Sequence, residues 1–332
     1  MKFSIICPVY NGEQFLSEAI TSVLLQTFSD WELLVINDCS FDQSRKIALE
    51  FANKETKIKV IDNSVNKGQF YSRIEGINKS TGDAIVFMDA DDKLDVDCLK
   101  KLEHEFTNNC NLDCVVYNCN QLSENNLPIQ DIDEITDKAI CFSSIDFYKS
   151  VFIKKSIPTV WRYCFKRLVL NKVVNMEIAC DTKLGEDMYF LTVATLNVSN
   201  ALLLPQKLYD YRLNPNSICH TLDSSKAFDR FKSKELSYKY LFEFNKTLFG
   251  DLSYRVKNLI SWSVVKYLEL GTLEDDKKLF KTRCSIIRQS LIWKEIVKYH
   301  RFESKYPRII KWCFKNHCTF IMKLFIGKYR NK

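Results

Sequence analysis

The stretch AIVFMDADDKL, residues 84–94, sets an apolar run in front of three carboxylates. A buried strand normally ends in a turn built from Gly, Asn or one Asp. Here Asp89, Asp91 and Asp92 fall within four positions, where like charges repel. A cation belongs at such a strand end. Mg2+ or Mn2+ suits it, because these hard ions take carboxylate oxygen and need only one or two protein carboxylates. Water and phosphate complete their shell. A solvated Asp-rich turn is the plainer reading of the same residues.

Outward from this strand, the chain alternates between two periods. FSIICPV (3–9), WELLVIND (31–38), IKVID (58–62), AIVFMD (84–89) and LDCVVYNC (112–119) are short, apolar and β-rich. EQFLSEAITSVLLQT (13–27), DQSRKIALEFANK (42–54), residues 68–79 and DVDCLKKLEHEF (95–106) place apolar side chains at helical spacing. Strands alternating with helices predict an α/β fold with a doubly wound, mostly parallel sheet. The continuous apolar character of the strands predicts a sheet covered on both faces. Ligands bind such sheets at the carboxyl ends of the strands. Pro8, Val9 and Tyr10 end the first strand, Asp38 the second, and Asp89 the strand before the acidic cluster. Three strand ends thus bring turn-forming or polar residues to one rim. Asp38 taken alone reads equally well as the cap of an NDCS turn.

Residues 121–145 are polar and read as a surface loop or insertion. IPTVWRYCFKRLVL (157–170) is apolar and aromatic again. LGEDMYFLTVATLNV (184–198) reads as a loop entering a helix, and ALLLPQKLYDYRL (201–213) as a strand pair or a strand and loop. Gly and Pro become rare beyond about residue 222, and helical periodicity takes over. The expected organisation is therefore an α/β domain over 1–221 and a mainly helical C-terminal extension over 222–332.

Composition narrows the classes. With 332 residues and 46% apolar side chains, a sizeable core can form. MKFSIICPVY is too short an apolar run for a signal peptide, and no uncharged apolar stretch reaches the ~18 residues of a membrane span. The thirteen cysteines form no CxxC pair. Without an export signal they read as reduced thiols of a cytoplasmic protein. The net charge of +7 is concentrated: residues 294–332 hold eleven Lys or Arg and two Glu. There, cations alternate with Ile309, Ile310, Trp312, Phe314, Phe320, Leu324 and Phe325. Such a segment fits an anionic membrane surface on the inner face of the cytoplasmic membrane. It fits equally well a helix packed on its own domain, or a contact with a second copy.

IICPVYNGEQFLSEAITSVLLQTFSDWELLVINDCSFDQS, followed by NKGQFYSRIEGINKSTGDAIVFMDADD, resembles the inverting family 2 glycosyltransferases of the GT-A fold. The resemblance runs through residues 1–95 and returns at GEDMYF and YDYRLNPNSI. It implies a metal-dependent hexosyltransferase with a nucleoside-diphosphate sugar donor, a UDP-sugar by preference. The implied acceptor is a glycan or lipid-linked hydroxyl in bacterial surface-polysaccharide assembly. Pro8, Val9 and Tyr10 would line the base and ribose pocket, and Asp38 would hydrogen-bond the uracil. Asn66 and Arg73 match an NxGxxxxR segment that approaches the nucleotide. Asp89, Ala90 and Asp91 match the DxD motif, with Asp91 the direct metal ligand and Asp89 a ribose or metal contact.

Sugar transfer needs a base for the acceptor proton. The resemblance gives that role to Asp187 in LGEDMYF, with Glu186 as alternative base or acceptor contact. The same two acids would also favour a helix N-terminus without any catalytic role. Arg212 is a candidate to stabilise the diphosphate, and His220 to complete the metal shell or meet a phosphate. Trp161 would stack on a sugar or belong to the core. Two other classes share some of these features. A nucleotidyltransferase usually has a Gly-rich basic first loop, whereas PVYNGEQ has one Gly and no basic residue. A non-catalytic sugar-nucleotide or membrane-surface binding protein would not need Asp187. Nucleic-acid binding lacks any RNP, zinc-finger or helix-turn-helix signature.

Overall fold

The computed structural model describes residues 1–123, 126–129, 136–148, 150, 159–174, 186–213, 225, 228–229, 231–232, 235–237, 239–240 and 277–290. His220 and the basic segment 294–332 lie outside these residues. The chain divides into two compact units, residues 1–180 with 190–220, and 181–189 with 221–332.

In the first unit, β1 (Phe3–Val9) and β2 (Trp31–Asn37) are buried from end to end. Apart from Ser4, Glu32 and Asn37 their side chains are apolar, and the sheet is covered on both faces, as these largely apolar sequences require. α1 (Leu16–Leu24) buries Leu16, Ala19, Ile20 and Val23, the i, i+3, i+4, i+7 stripe of an amphipathic helix. α2 (Ser44–Ala52), β3 (Ile58–Asp62), α3 (Gln69–Lys79) and β4 (Ala84–Phe87) complete the alternating half. Gly68 enters α3 with φ 89°, where a side chain would be strained. Gly76 lets α3 lie directly on β1, since a Cβ there would collide with the Ile6 side chain.

Next come β5 (Lys93–Leu94), α4 (Cys98–Asn108), β6 (Cys114–Leu122), β7 (Pro128–Ile129), β8 (Ile140–Ser143) and α5 (Ser144–Tyr148). A 3-10 turn (Val160–Arg162) leads into β9 (Tyr163–Lys166), α6 (Arg167–Val174), α7 (Glu186–Leu196) and β10 (Asn200–Arg212). The sheet order is β3-β2-β1-β4-β9-β6-β10-β5, with β7 on β6 and β8 on β10. β1 is parallel to β2 and β4, β2 to β3, and β6 to β10. β9 runs antiparallel between β4 and β6. The carboxyl ends of β1, β2, β4, β6 and β10 therefore share one edge, and β9 begins there.

The sheet is mostly parallel with helices packed on it, as expected, with two corrections. Residues 121–145 are not only loop: β7 and β8 add strands. Four residues of β8 carry too little periodicity to stand out, and their partner is β10, far along the chain. Of the two readings of residues 201–213, a strand pair or a strand and loop, the pair is excluded: Asn200–Arg212 form one 13-residue strand. The register against β6 shifts between Leu204 and Lys207. Pro205, which has no N–H to donate, falls at that shift, so the strand absorbs the proline without ending.

In the second unit, α8 (Lys277–Gln289) buries Phe280, Cys284 and Ile287 at helical spacing. The Arg283 guanidinium lies 5.1 Å from the Phe228 ring centroid. The cysteines among the described residues are free, and none of the described helices is long and apolar enough to cross a membrane.

The opposite end of the sheet is tied by a buried carboxylate. Glu32 accepts from Ser4 Oγ at 2.7 Å, from Lys59 Nζ at 2.8 Å and from the Thr81 N–H. Burial alone would raise this carboxyl. Lys59 and the Ser4 and Thr81 donors outweigh it and hold it at about 2, below the ordinary 4.5. A carboxyl lowered in the folded state adds stability above its unfolded value, and that stability is lost as pH falls toward the folded value. Glu32→Gln should therefore lower stability at pH 7 by about 1–3 kcal/mol. The difference from wild type should shrink as pH drops from about 4.5 to about 2. Urea denaturation at pH 7 and pH 3 reads both; a difference independent of pH would exclude the ionised carboxylate as the cause.

Candidate active site

The acidic cluster turns sharply beyond β4, with Asp92 N–H donating to the Asp89 carbonyl at 3.2 Å. Its three carboxylates have different surroundings. Asp89 is half-buried, and its Oδ1 accepts from Gln69 Nε2 at 2.7 Å and Arg73 Nη2 at 3.2 Å. Both donors come from α3, so the NxGxxxxR segment reaches the acidic turn directly. Asp92 is 1% exposed. It accepts from the Tyr209 hydroxyl and from the Arg212 N–H, both at 2.7 Å. The Tyr209 oxygen also accepts the Asp89 N–H at 3.0 Å. The last turn of β10 is thereby fastened under the cluster. Asp91 is half-buried between these two, and Ala90 packs against the core.

Arg212 is buried beneath the same turn. Its Nε donates to the Asp91 carbonyl at 2.8 Å and its Nη2 to Glu18 Oε2 at 2.9 Å, and the guanidinium lies 4.4 Å over the Phe15 ring. Burial would raise the Glu18 carboxyl, but Arg212 and Asn126 hold it below the ordinary range.

The electrostatics match a cation site. Burial, then the charges of Asp91 and Asp89, push the Asp92 carboxyl well above its ordinary value. Burial and the same carboxylates push the Cys7 thiol up as well. Negative charge is thus in excess at this strand end. Among the described residues no three His, Cys, Asp or Glu side chains form a complete metal-ligand group. A hard cation that shares its shell with water and a diphosphate does not require one. The oxygen donors of Asp91 and Asp89 fit Mg2+ or Mn2+.

Along the same edge, Pro8 and Val9 are buried in β1, and Tyr10 is exposed with its ring 6.0 Å from that of Phe41, edge to face. Asn11 and Cys39 adopt left-handed φ of 51° and 61° where the two strands turn off the sheet. The loops are laced together: Asn11 N–H donates to Ser40 Oγ, Gly12 N–H to Ser44 Oγ, and Phe41 N–H to Asn11 Oδ1. Asp38 is buried and accepts from Asn63 Nδ2, Lys67 N–H and Gly68 N–H at 2.8–2.9 Å. It thereby shapes the loop that carries the exposed Asn66.

Glu186 and Asp187 form the first turn of α7, Glu186 buried and Asp187 half-buried, within the second unit. Trp161 is a core residue, stacked on Tyr209 at 4.5 Å and on Tyr211 at 5.3 Å. Sequence reasoning missed Gln69, Tyr209 and Glu18. Gln69 had a signal, since it lies one helical turn before Arg73. Glu18 had none, as an exposed acid on α1 is ordinary.

The profile of the family described as Glycosyl transferase family 2 matches residues 4–173, from β1 into α6. EpsJ of Bacillus subtilis (strain 168), an uncharacterized glycosyltransferase, is 31% identical over 243 residues, 72% of this chain and 69% of EpsJ. WfgD of Escherichia coli, named as a UDP-Glc:alpha-D-GlcNAc-diphosphoundecaprenol beta-1,3-glucosyltransferase, is 43% identical over 89 residues. That stretch is 27% of this chain and 34% of WfgD. TarS of Staphylococcus aureus, named as a poly(ribitol-phosphate) beta-N-acetylglucosaminyltransferase, is 26% identical over 214 residues, 64% of this chain and 35% of TarS. The crystal structure of TarS 1–349 with UDP-GlcNAc aligns with a TM-score of 0.68 at 16% identity, covering 100% of this chain and 92% of that one. That likeness establishes the shared GT-A fold. With the profile spanning the strands that build the acidic turn, and a relative matching most of its length, the chain belongs to glycosyl transferase family 2.

Proposed function

We propose that this protein moves a sugar from a UDP-sugar to a hydroxyl of a glycan or lipid-linked acceptor, with inversion, in the assembly of a bacterial surface polysaccharide. The observation that carries this reading is the turn Asp89–Asp92. Two of its carboxylates stand at the β4 end, the third is fastened beneath them, and Asp38 shares their edge. The WfgD name and the TarS complex support a uridine donor. In this reading residues 1–221 form the catalytic domain; the extension expected over 222–332 lies mostly outside the described residues.

Pro8, Val9 and Tyr10 line the pocket for base and ribose in this reading. Asp38 has a lone pair beyond its three N–H bonds, and offers it to the uracil. Asn66 and Arg73 approach the nucleotide from the α3 side. Asp91 and Asp89 hold Mg2+ or Mn2+, with Ala90 beside the donor. A bound cation there would neutralise charge growing on the leaving diphosphate. Asp187 takes the proton from the acceptor hydroxyl, and Glu186 orients the acceptor. One base and one displacement invert the anomeric carbon. Arg212, already engaged by Glu18 and the Asp91 carbonyl, holds the turn in place.

Incubation with a panel of nucleotide sugars and Mn2+ should release UDP from one UDP-sugar, faster once acceptor is supplied. Release of pyrophosphate instead would make the protein a nucleotidyltransferase. A product of retained anomeric configuration would contradict the single displacement.

A further inference from the structure

The 3-10 turn before β9 carries a cation that no carboxylate answers among the described residues. Arg162 is 4% exposed. Its Nη2 donates to the Cys119 sulfur at 3.0 Å, and its guanidinium stands 5.1 Å from the Trp161 ring centroid. Among the described residues no ion pair engages it. Arg73 and Arg212, the other fully buried arginines of this edge, have Asp89 and Glu18. Of the three buried side-chain polar atoms without a hydrogen-bond partner among the described residues, two stand on this turn: Arg162 Nε and Thr159 Oγ1. Both are donors. Folded proteins rarely leave buried donors unsatisfied, and a buried guanidinium without an anion is costlier still. A group that a ligand completes accounts for both.

The register places the turn. Tyr163 faces Val116 of β6, and Cys164 faces Val86 of β4. Arg162 therefore stands at the shared carboxyl-end edge. Trp161 stacks on Tyr209, whose hydroxyl bonds Asp92 and the Asp89 N–H. Two stacked aromatic rings, Trp161 and Tyr209, separate the cation from the acidic turn, on the side of β4 away from β1, β2 and Asp38.

We propose that Arg162, with the Thr159 hydroxyl, binds a phosphate group of the acceptor. This rests on the sugar-transfer reading above. The donor's base and diphosphate belong to the β1, β2 and β4 ends, so an anion met beyond β4 comes from the other substrate. A planar guanidinium suits phosphate oxygens, and a desolvated one binds them more strongly than an exposed one.

The test uses the full chain, saturated with UDP and Mg2+, and titrates inorganic phosphate by calorimetry. Wild type should bind phosphate with UDP in place. Arg162→Met should weaken phosphate at least tenfold while leaving the UDP Kd within twofold, and Arg162→Lys should retain part of the affinity. Arg162→Met should also melt no lower than wild type, because it removes a buried cation without a counter-ion. Equal phosphate affinity in wild type and Arg162→Met, or none in UDP-loaded wild type, overturns the proposal. Competition between phosphate and UDP would assign Arg162 to the donor diphosphate and overturn the acceptor assignment. Unfolding of both variants would make Arg162 structural and overturn it too. Failure of wild type to bind UDP is a separate result, against the sugar-transfer reading; phosphate titration of the UDP-free chain and its Arg162→Met variant still decides whether Arg162 binds phosphate.

Discussion

Asp91→Asn should reduce sugar transfer by about 10²–10⁴-fold, and a chelator should do the same to wild type. A cation at a leaving diphosphate supplies several kcal/mol of transition-state stabilisation, and each 1.36 kcal/mol is about tenfold in rate. Added Mn2+ should rescue chelated wild type but not the variant. The fold should persist, because Arg212 holds residue 91 through its backbone carbonyl, which the substitution keeps. Removing this charge also relieves Asp92, whose carboxyl the Asp91 charge pushes up. The melting temperature of Asp91→Asn should accordingly not fall. Full turnover in chelator would remove the metal from the mechanism. Loss of turnover together with a lower melting temperature would make Asp91 a structural residue.

Asp187→Asn should lower transfer by a similar factor, about 10²–10⁴-fold, the range of a positioned general base. Its signature differs. The base acts on the acceptor, so UDP affinity should stay within about twofold and kcat should carry the loss. Asn at 187 keeps the size of the side chain at the first turn of α7. Glu186→Gln should mainly raise the acceptor KM if Glu186 orients the acceptor. An equal loss of donor affinity in Asp187→Asn would move that residue into the donor site. A larger kcat loss in Glu186→Gln than in Asp187→Asn would exchange the two roles.

The two kinds of carboxylate show how far the sequence alone reaches. The alternation of strand and helix through β1, α1, β2, α2, β3, α3 and β4 was legible because each element's signal lies within its own dozen residues. Parallel strands separated by helices then place Pro8 to Tyr10, Asp38 and Asp89 on one edge as a matter of chain direction. The crowding of Asp89, Asp91 and Asp92 was legible because the repulsion among them is local. Which of the three stays accessible was not. Asp92 is withdrawn from the site by Tyr209, 117 residues away, and Arg212 is committed to Glu18 at a separation of 194 residues. No local period encodes such partners; they follow from β10 returning beside β6 to reach the edge where β4 ends. The same holds for β9, whose apolar run does not reveal that it enters antiparallel between β4 and β6. That insertion buries Arg162 beside a thiol, where an arginine in the sequence would be expected on the surface. Sequence determined the class of fold and which residue types gather at the strand ends. Tertiary structure decided which charged side chains hold the turn and which remain for substrate, because that depends on desolvation and pairing between segments that meet only when the sheet closes.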